Sequence, residues 1–321
     1  MSSKIKFIIS WCGYWLFIIL LNQLIAAEIS APKMEIIDTE RGRATYFPQG
    51  ITITDKDTKI TGTNALFWER DNVAQISQVL IQNPQFNITA ETAYYFFDEK
   101  KTILKTAVKV ESETLLIETA NLTLNNLSNI VYCESDIIIK EKTQNIEATG
   151  KRARYDFKEQ IGIIDSQPIL KIIGQTDKDA IIIRSYKMIL KNRDSQFLAI
   201  ESINAQTENT VLKCDSLVYF LKGDSGYANG NPKVIDKDNY AQGEIIKFFF
   251  REDSAQSNSI SLNTVKIINS AIANYNTEDG EVEVWGKIFS IHYQDGKPNM
   301  IIIQSDDISR VTGKYVFREE L

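Results

Sequence analysis

The stretch IEATGKRARYDFKEQIGIIDSQPILKIIG, Ile146 to Gly174, decides the fold. It contains two runs in which apolar and polar residues alternate, separated by the polar segment Lys158-Glu159-Gln160. Alternation with a period of two is typical of β-strands, and a polar turn between two such runs predicts a hairpin. A lone hairpin cannot bury its own apolar face. The sequence therefore predicts that this hairpin packs against other units of the same kind.

The alternation also predicts which side chains of the first run point inward. Successive residues of a strand face opposite sides, so Ala153, Tyr155 and Phe157 share one face, and Arg152 and Arg154 share the other. Charged side chains need water, so the charged face is predicted to lie outside. The alanine and the two aromatic residues are therefore predicted to lie inside.

The same pattern, a small or apolar residue followed at every second position by aromatic or apolar ones, recurs along the chain. Neighbouring copies lie roughly 20 to 35 residues apart, a spacing typical of stacked supersecondary units. Val, Ile, Thr, Tyr and Phe dominate the runs, as strands prefer. Four copies supply the interior candidates: Ala93, Tyr95 and Phe97; Ala153, Tyr155 and Phe157; Leu217, Tyr219 and Leu221; and Ile246, Phe248 and Phe250.

These repeats predict an all-β architecture of stacked antiparallel hairpins, in one repetitive domain from residue 28 to residue 321. Pro168 and Pro232 recur at matching places in their repeats. The segment from Asn72 to Pro84 leaves two interpretations open, because its apolar residues fit either a short helix or a strand.

The first 27 residues have a different character from the rest. Lys4 and Lys6 precede an uncharged apolar run from Phe7 to Leu21, and the sequence LIAAE follows. This order is typical of a secretory signal peptide, although the uncharged segment is also long enough to span a bilayer. Both interpretations, a cleaved signal and a retained anchor, predict that Glu28 onward lies outside the cytoplasm.

Charge and cysteine content narrow the function classes. The net charge of −6 and the absence of a Lys/Arg-rich stripe argue against nucleic-acid binding. With a single histidine, His292, and no Cys-x-x-Cys pair, the sequence predicts no metal site. Cys133 and Cys214 could form one disulfide in an oxidising compartment, but their wide separation does not indicate a disulfide framework.

The hairpin sequences resemble the OstA-like periplasmic proteins of lipopolysaccharide transport, a family that includes LptA, LptC and the N-terminal part of LptD. The segments that carry the resemblance are IEATGKRARYDF with SQPILKI, VLKCDSLVYF with GYANGNPKVID, and ITAETAYYFF. The resemblance spans about Ala44 to Phe317. It implies an open, V-shaped β-jelly roll with an apolar trough for acyl chains. By the same resemblance, the twelve interior candidates would contact lipid.

The resemblance also implies a ligand, protein partners and a cellular location. The ligand would be lipopolysaccharide or a similar glycolipid, and other OstA-like modules would bind head to tail by strand addition. An inner-membrane transporter or an outer-membrane translocon would be further partners. The chain would lie in the periplasm, soluble after signal cleavage or tethered to the inner membrane. The chain has about twice as many hairpins as short family members have. Its role as a soluble bridge, as an inner-membrane-anchored component or as a longer OstA-like relative therefore stays open.

Two rival classes compete with lipid transport. A structural or adhesive exported repeat protein would use the same stack with a filled interior. An enzyme would need an acid/base pair, but adjacent carboxylates in a strand point to opposite faces. Neither a Gly-x-Ser-x-Gly motif nor a phosphate loop occurs, so we expect no enzyme and no cofactor. The three adjacent carboxylate pairs are Glu278-Asp279, Asp306-Asp307 and Glu319-Glu320.

Overall fold

A computed structural model describes residues 27–142, 145–173, 180–220, 222–223, 225–252, 260–276, 280–294, 297–305 and 310–317. These residues form 26 strands, and within these ranges there is no helix. The strands are β1 Glu28–Ser30, β2 Glu35–Thr39, β3 Gly42–Phe47, β4 Ile51–Asp55, β5 Thr58–Gly62, β6 Asn64–Trp68, β7 Val73–Asn83, β8 Phe86–Phe96, β9 Lys101–Glu111, β10 Leu115–Asn125, β11 Ile130–Glu141, β12 Ile146–Asp156, β13 Ile161–Asp165, β14 Ile169–Ile172, β15 Ile181–Arg184, β16 Lys187–Lys191, β17 Gln196–Gln206, β18 Thr210–Phe220, β19 Ser225–Asn229, β20 Lys233–Asp236, β21 Asn239–Gln242, β22 Ile245–Glu252, β23 Ile260–Asn276, β24 Gly280–Gln294, β25 Lys297–Gln304 and β26 Thr312–Phe317.

The chain runs back and forth as a ladder of antiparallel rungs. A rung is either one long strand, such as β8, or two short strands in line, such as β13 and β14. Each rung pairs with the rung before and the rung after it, so that all the strands join into one continuous sheet. The hairpin that the opening stretch predicts is β12 followed by β13 and β14.

The strand pairing is interrupted near the middle of the rungs, and these interruptions line up into one crease. At the crease, alternate rungs have two successive residues of positive φ, as at Ser135 and Asp136 in β11. The pairing register shifts at the same place, between Glu134 and Ile137. Small or polar residues tolerate the left-handed region best, which is why they predominate here. The positive-φ pairs are Thr106-Ala107, Ser135-Asp136, Ser166-Gln167, Glu201-Ser202, Gly230-Asn231 and Asn269-Ser270.

The recurring prolines mark this crease. Pro168 and Pro232 each follow a positive-φ pair and precede the second half of their rung, β14 and β20. Proline cannot donate to a sheet ladder, so it is tolerated where the ladder is interrupted. The recurrence in the sequence therefore reflects the interruption at the crease.

The crease divides the sheet into two layers. Layer A contains β2, β3, β6, β13, β16, β19, β22 and β25, with the halves of the long strands that pair with them. Layer B contains β1, β4, β5, β14, β15, β20, β21 and β26, with the other halves. Opposite the crease, the hairpin turns of layer A and those of layer B form two facing rows. We call the space between these rows the mouth.

The apolar side chains of both layers point between them and form one core. This core extends from Phe47 to Ile291. Ala153, Tyr155 and Phe157 belong to it, whereas the Arg152 side chain is 65% exposed, so the predicted orientation of β12 is confirmed. The segment from Asn72 to Pro84 contains the strand β7 and no helix. The predicted open V-shaped jelly roll of stacked antiparallel hairpins is confirmed.

Candidate functional site

The interior candidates that the structure describes all lie in layer A, on the side of each rung that approaches the mouth. Ala93 and Tyr95 are completely buried, and the side chains of the second copy are between 3% and 8% exposed. Leu217, Tyr219, Ile246 and Phe248 are also buried. Phe97 is partly buried and packs against the core. Leu221 lies outside the described residues, and of Phe250 only the backbone is described.

The first copy lies where the mouth is closed. The Tyr95 hydroxyl of layer A donates a hydrogen bond of 2.7 Å to Oδ2 of Asp55, which ends β4 in layer B. Lys100 Nζ lies 2.9 Å from the same oxygen. The Asp55 side chain is only 7% exposed, so this contact between the layers is shielded from water. Burial, and then the bond to Asp55, raise the pKa of Tyr95 well above its usual value.

Aromatic contacts fill the same region. The ring of Phe97 lies 4.6 Å from that of Tyr95 and 5.3 Å from that of Phe67, both with edge-on geometry. Edge-on rings at this distance attract one another in addition to the apolar area that they bury. The interior around the first copy is therefore packed core.

The second copy lies beside a cavity. The Phe157 ring of layer A lies 4.3 Å from the Phe86 ring of layer B, and 4.8 Å from the Tyr155 ring. Beyond these rings, a cavity of about 400 Å³ opens between the two rows of turns. Tyr155 and Phe157 form its apolar wall, which leads into the core. This volume falls within the roughly 300 to 1,000 Å³ of typical small-molecule sites.

The cavity rim is polar. Layer B contributes Gln85, Glu113 and Glu141, while Asn192 and Lys222 come from the turns of layer A. Hydroxyl, amide and charged groups here surround an apolar floor, as in a site for an amphiphilic ligand. A neighbouring cavity of about 510 Å³ lies further along the mouth and has Asn83 and Leu127 in its wall.

Asn192 is the member of this rim with an unused polar atom. Its Nδ2 donates a hydrogen bond of 3.1 Å to the Tyr155 hydroxyl. Its Oδ1 is buried and lacks a hydrogen-bond partner among the described residues. Burial raises the pKa of Tyr155 to about 12, so the phenol stays neutral at physiological pH. An orphaned amide oxygen is unfavourable unless a ligand or water donates to it.

The third and fourth copies meet one another. The rings of Tyr219 and Phe248 are stacked with an angle of 16° and centroids 6.3 Å apart. Leu217 and Ile246 lie deeper towards the crease. All four copies thus have described ring contacts with other rungs or the opposite layer, and the second one also borders the cavity.

Sequence reasoning missed the polar residues at the mouth. Asp55 stands in the sequence ITITDKDTKI, where a turn aspartate is expected to be solvated. Asn192 and Lys222 likewise lie in turn segments. Their role depends on which turns of the two layers face each other, and the local sequence carries no signal for that.

The remaining candidates are placed as follows. Cys133 and Cys214 are buried, free thiols near the crease. The Nδ1 atom of His292 lies 3.4 Å from the Thr264 hydroxyl on the outer face of layer A. All members of the three carboxylate pairs lie outside the described residues: Glu278-Asp279, Asp306-Asp307 and Glu319-Glu320. Within the described ranges, no cluster of His, Cys, Asp and Glu could hold a metal ion.

Residues 1 to 26, which contain most of the predicted signal or anchor, also lie outside the described residues. In the part of the chain that the structure covers, no helix has the length and hydrophobicity needed to cross a membrane.

Comparison with solved structures finds several similar chains. No family model matches the chain, and no curated protein matches it. One of the similar structures is LptH from Pseudomonas aeruginosa, described as the LptA-homologous periplasmic component of the lipopolysaccharide transport device. The two chains share 10% identity with a TM-score of 0.20, over 42% of this chain and 76% of LptH. Functional inference therefore depends on the residues of this chain.

Proposed function

We propose that this protein binds the acyl chains of lipopolysaccharide or a similar glycolipid between its two layers and passes them along the stack. The observation that carries the proposal is the cavity at the mouth, whose wall of Tyr155 and Phe157 continues into the apolar core. An acyl chain entering there would leave water for an apolar surface, while the polar headgroup would meet Gln85, Asn192 and Lys222.

The energetics favour such a ligand. Each buried CH₂ contributes about 0.8 kcal/mol, so a long acyl chain gains several kcal/mol by entering the space between the layers. A cavity of about 400 Å³ holds only part of a lipid with several chains. Further entry requires the layers to separate, and the contact that must open is the one between Phe86 and Phe157. The crease, with its interrupted ladders, is where such a movement would hinge.

Similar rungs would give successive binding positions of similar free energy. A lipid could then move along the stack without a deep trap, driven by an energy source in another protein. Both ends of the sheet also support assembly. Among the described pairings, β1 and β2 at one end and β25 and β26 at the other each bond to one neighbour. Such edges can receive a strand from a further OstA-like module.

The proposed location is the periplasm, with the protein either soluble after signal cleavage or tethered to the inner membrane. In that place it would receive lipid from an inner-membrane transporter or deliver it to an outer-membrane translocon. Mass spectrometry of the mature N-terminus distinguishes the two forms. A start near Glu28 indicates a soluble protein, and an intact segment before it indicates a tethered one.

A second candidate function is that of an inert exported scaffold. It is favoured by the first copy, in which Tyr95 is completely buried and bonded across the mouth to Asp55. A scaffold would have a filled interior along its whole length. The cavity beside the second copy is the feature that a scaffold does not need.

Site-specific photo-crosslinking tests the choice. A photoreactive residue is placed at Tyr155 or Phe248, and at Arg154 as an outward-facing control next to the first site. The full chain is then illuminated with a fluorescent lipid A analogue. Lipid binding predicts labelling at Tyr155 and Phe248 that exceeds labelling at Arg154. Labelling equal to the control at both interior sites would reject lipid binding and support the scaffold.

A further inference from the structure

The outer surface of layer A between β16 and β23 is the second feature that suggests a ligand. Six residues at directly paired positions form one row across it: Ile189, Leu198, Val218, Tyr227, Lys247 and Lys266. We call this surface the lysine face. The four apolar members are each partly exposed, and the two lysines are exposed. Outward strand positions are usually polar, so a contiguous apolar row is a sign of a binding surface.

Aromatic and aliphatic residues extend the row on both sides. Phe220 and Phe249 lie towards the mouth, each paired to Ser225, and Phe249 is 37% exposed. Ile245 and Ile268 are paired towards the crease. The apolar surface is therefore two-dimensional rather than a single line of side chains.

The charges on this face are of one sign. Lys247 and Lys266 are directly paired neighbours on adjacent strands, an arrangement that like charges disfavour. Neither lysine has an ion pair within the part of the chain that the structure describes. Among the outward residues of layer A from β16 to β23 whose side chains are described, none is Asp or Glu. Carboxylates of these rungs lie at the crease, in the turns or in layer B, as Glu201 and Glu244 do at the crease.

The outer surface of layer B between β9 and β12 is built differently. There Lys140 lies 3.6 Å from Glu118 and 3.9 Å from Glu147, and Lys109 lies 3.5 Å from Glu111. Lys109 and Lys140 are thus compensated by carboxylates of the same chain, whereas Lys213 and Lys233 further along layer B are paired with each other. The lysines of the lysine face lack such compensation, which is the pattern expected if an anionic partner supplies it.

We propose that the lysine face binds the surface of an anionic lipid bilayer. The aliphatic row and Tyr227 would lie against the headgroup region, and Lys247 and Lys266 would contact lipid phosphates. A protein partner is less well matched, because protein interfaces are enriched in Arg and depleted in Lys. The basic residues of this face whose side chains are described are all lysines. Each lysine near an anionic membrane adds to the electrostatic attraction. The proposal goes beyond the proposed function, because it does not need a lipid between the layers.

Amine footprinting of the full chain tests the proposal with internal controls. The protein is mixed with vesicles of phosphatidylcholine alone or of phosphatidylcholine with phosphatidylglycerol, then treated with a water-soluble acetylating reagent. Mass spectrometry gives the rate at each lysine. We expect the anionic vesicles to slow acetylation of Lys247 and Lys266 about fivefold, with less than a twofold change at Lys109 and Lys140. Equal slowing of all four lysines, or slowing of none, would overturn the proposal.

Paired charge removal gives a second test. The variant Lys247→Gln/Lys266→Gln is compared with Lys109→Gln/Lys140→Gln, which removes the same charge from layer B. For each full chain, flotation gives the ratio of partitioning into anionic and neutral vesicles, so that any contribution of the apolar N-terminal segment cancels. The first variant should lower this ratio about tenfold and the second less than twofold. Equal reductions would show an effect of net charge and contradict a binding face, and no vesicle dependence would favour an acidic protein partner instead.

The variants are not expected to unfold. Removing two facing like charges relieves their repulsion, so the thermal melting temperature of Lys247→Gln/Lys266→Gln should equal or exceed that of the natural chain. A ratio that falls with an unchanged melting temperature therefore reports on the surface and not on the fold.

Discussion

The mouth differs between the first rungs and the middle ones, although the same sequence pattern builds both. At β4, β8 and β9 the layers are joined by a buried acid, a tyrosine and a lysine, and the aromatic rings are packed. At β12 and the turn after β16, a tyrosine of the same repeat position lies beside a cavity and bonds to an amide within its own layer. The same repeat position thus joins the two layers in one place and lines a cavity in another.

The difference comes from the residue that the tyrosine hydroxyl meets. In the first copy the partner is Asp55, which belongs to the opposite layer and therefore holds the mouth closed. In the second copy the partner is Asn192, which belongs to layer A and leaves the opposite layer free of this bond. Ligand entry is therefore expected at the middle rungs rather than at the first ones.

Substitution of the two tyrosines by aspartate should show the largest effect. Tyr95→Asp places a second carboxylate beside Asp55 in a site without water, so we expect loss of about 4 kcal/mol or more in the free energy of unfolding. Tyr155→Asp should cost about half as much, because its carboxylate can reach the polar rim of the cavity. Urea denaturation followed by circular dichroism measures both. Equal losses would mean that the second copy is packed core like the first.

Removing the Asp55 carboxylate, which joins layer B to Tyr95 and Lys100, should have the next largest effect. Asp55→Ala leaves the Tyr95 hydroxyl without an acceptor and Lys100 without its partner, so the free energy of unfolding should fall by about 2 kcal/mol. The expected loss is moderate because the Lys100 side chain can turn to solvent and because Oδ1 of Asp55 is itself without a hydrogen bond. Asp57→Ala, at an exposed turn position, is the control and should change stability by less than about 0.5 kcal/mol. A loss of stability no greater than that of the control would contradict the view that the Asp55 contact holds the two layers together.

The pH dependence of stability sharpens the comparison at the second copy. The pKa of Tyr155 is raised to about 12, so its contribution is complete below about pH 10, the unfolded value, and is lost as pH rises towards 12. Tyr155→Phe should cost about 1 kcal/mol at pH 7, through the lost bond to Asn192. Above pH 10 the natural chain should lose about 2 kcal/mol relative to the variant, so the order of stability reverses.

The matching control is Tyr227→Phe, because that ring lies on the outer face of layer A. Its stability should match that of the natural chain within about 0.5 kcal/mol at pH 7. Parallel curves for Tyr155→Phe and the natural chain would contradict a buried, neutral phenol at the second copy.

The smallest effect is expected at the rim. Asn129, which is half-buried, donates a hydrogen bond of 2.9 Å across the mouth to the exposed Gln85. Gln85→Ala should therefore change the free energy of unfolding by less than about 0.5 kcal/mol. If this bond restricts entry to the cavity, the same variant should accelerate binding of the lipid A analogue in stopped-flow fluorescence. Unchanged entry would place the barrier at Phe86 and Phe157 instead.

Much of the fold could be read from local pattern. The alternation in β12 predicted which face is buried, and the structure confirms it. Tyr155 is 3% exposed, whereas the Arg152 side chain is 65% exposed. The ambiguous segment that became β7 could not be resolved in the same way, because a short apolar run fits both a helix and a strand. Its pairing with β6 and β8 decided the strand.

The amino-acid sequence by itself determined the repeated hairpins, the inward aromatic residues and the polar or small residues at the crease, because each depends on neighbours within a few positions along the chain. Only the tertiary structure decided where the mouth is closed and where it has a cavity. That outcome depends on which turns of the two layers meet, as Asp55 meets Tyr95 across 40 residues of sequence. It likewise placed Lys247 opposite Lys266, because cross-strand register sets which side chains share a surface.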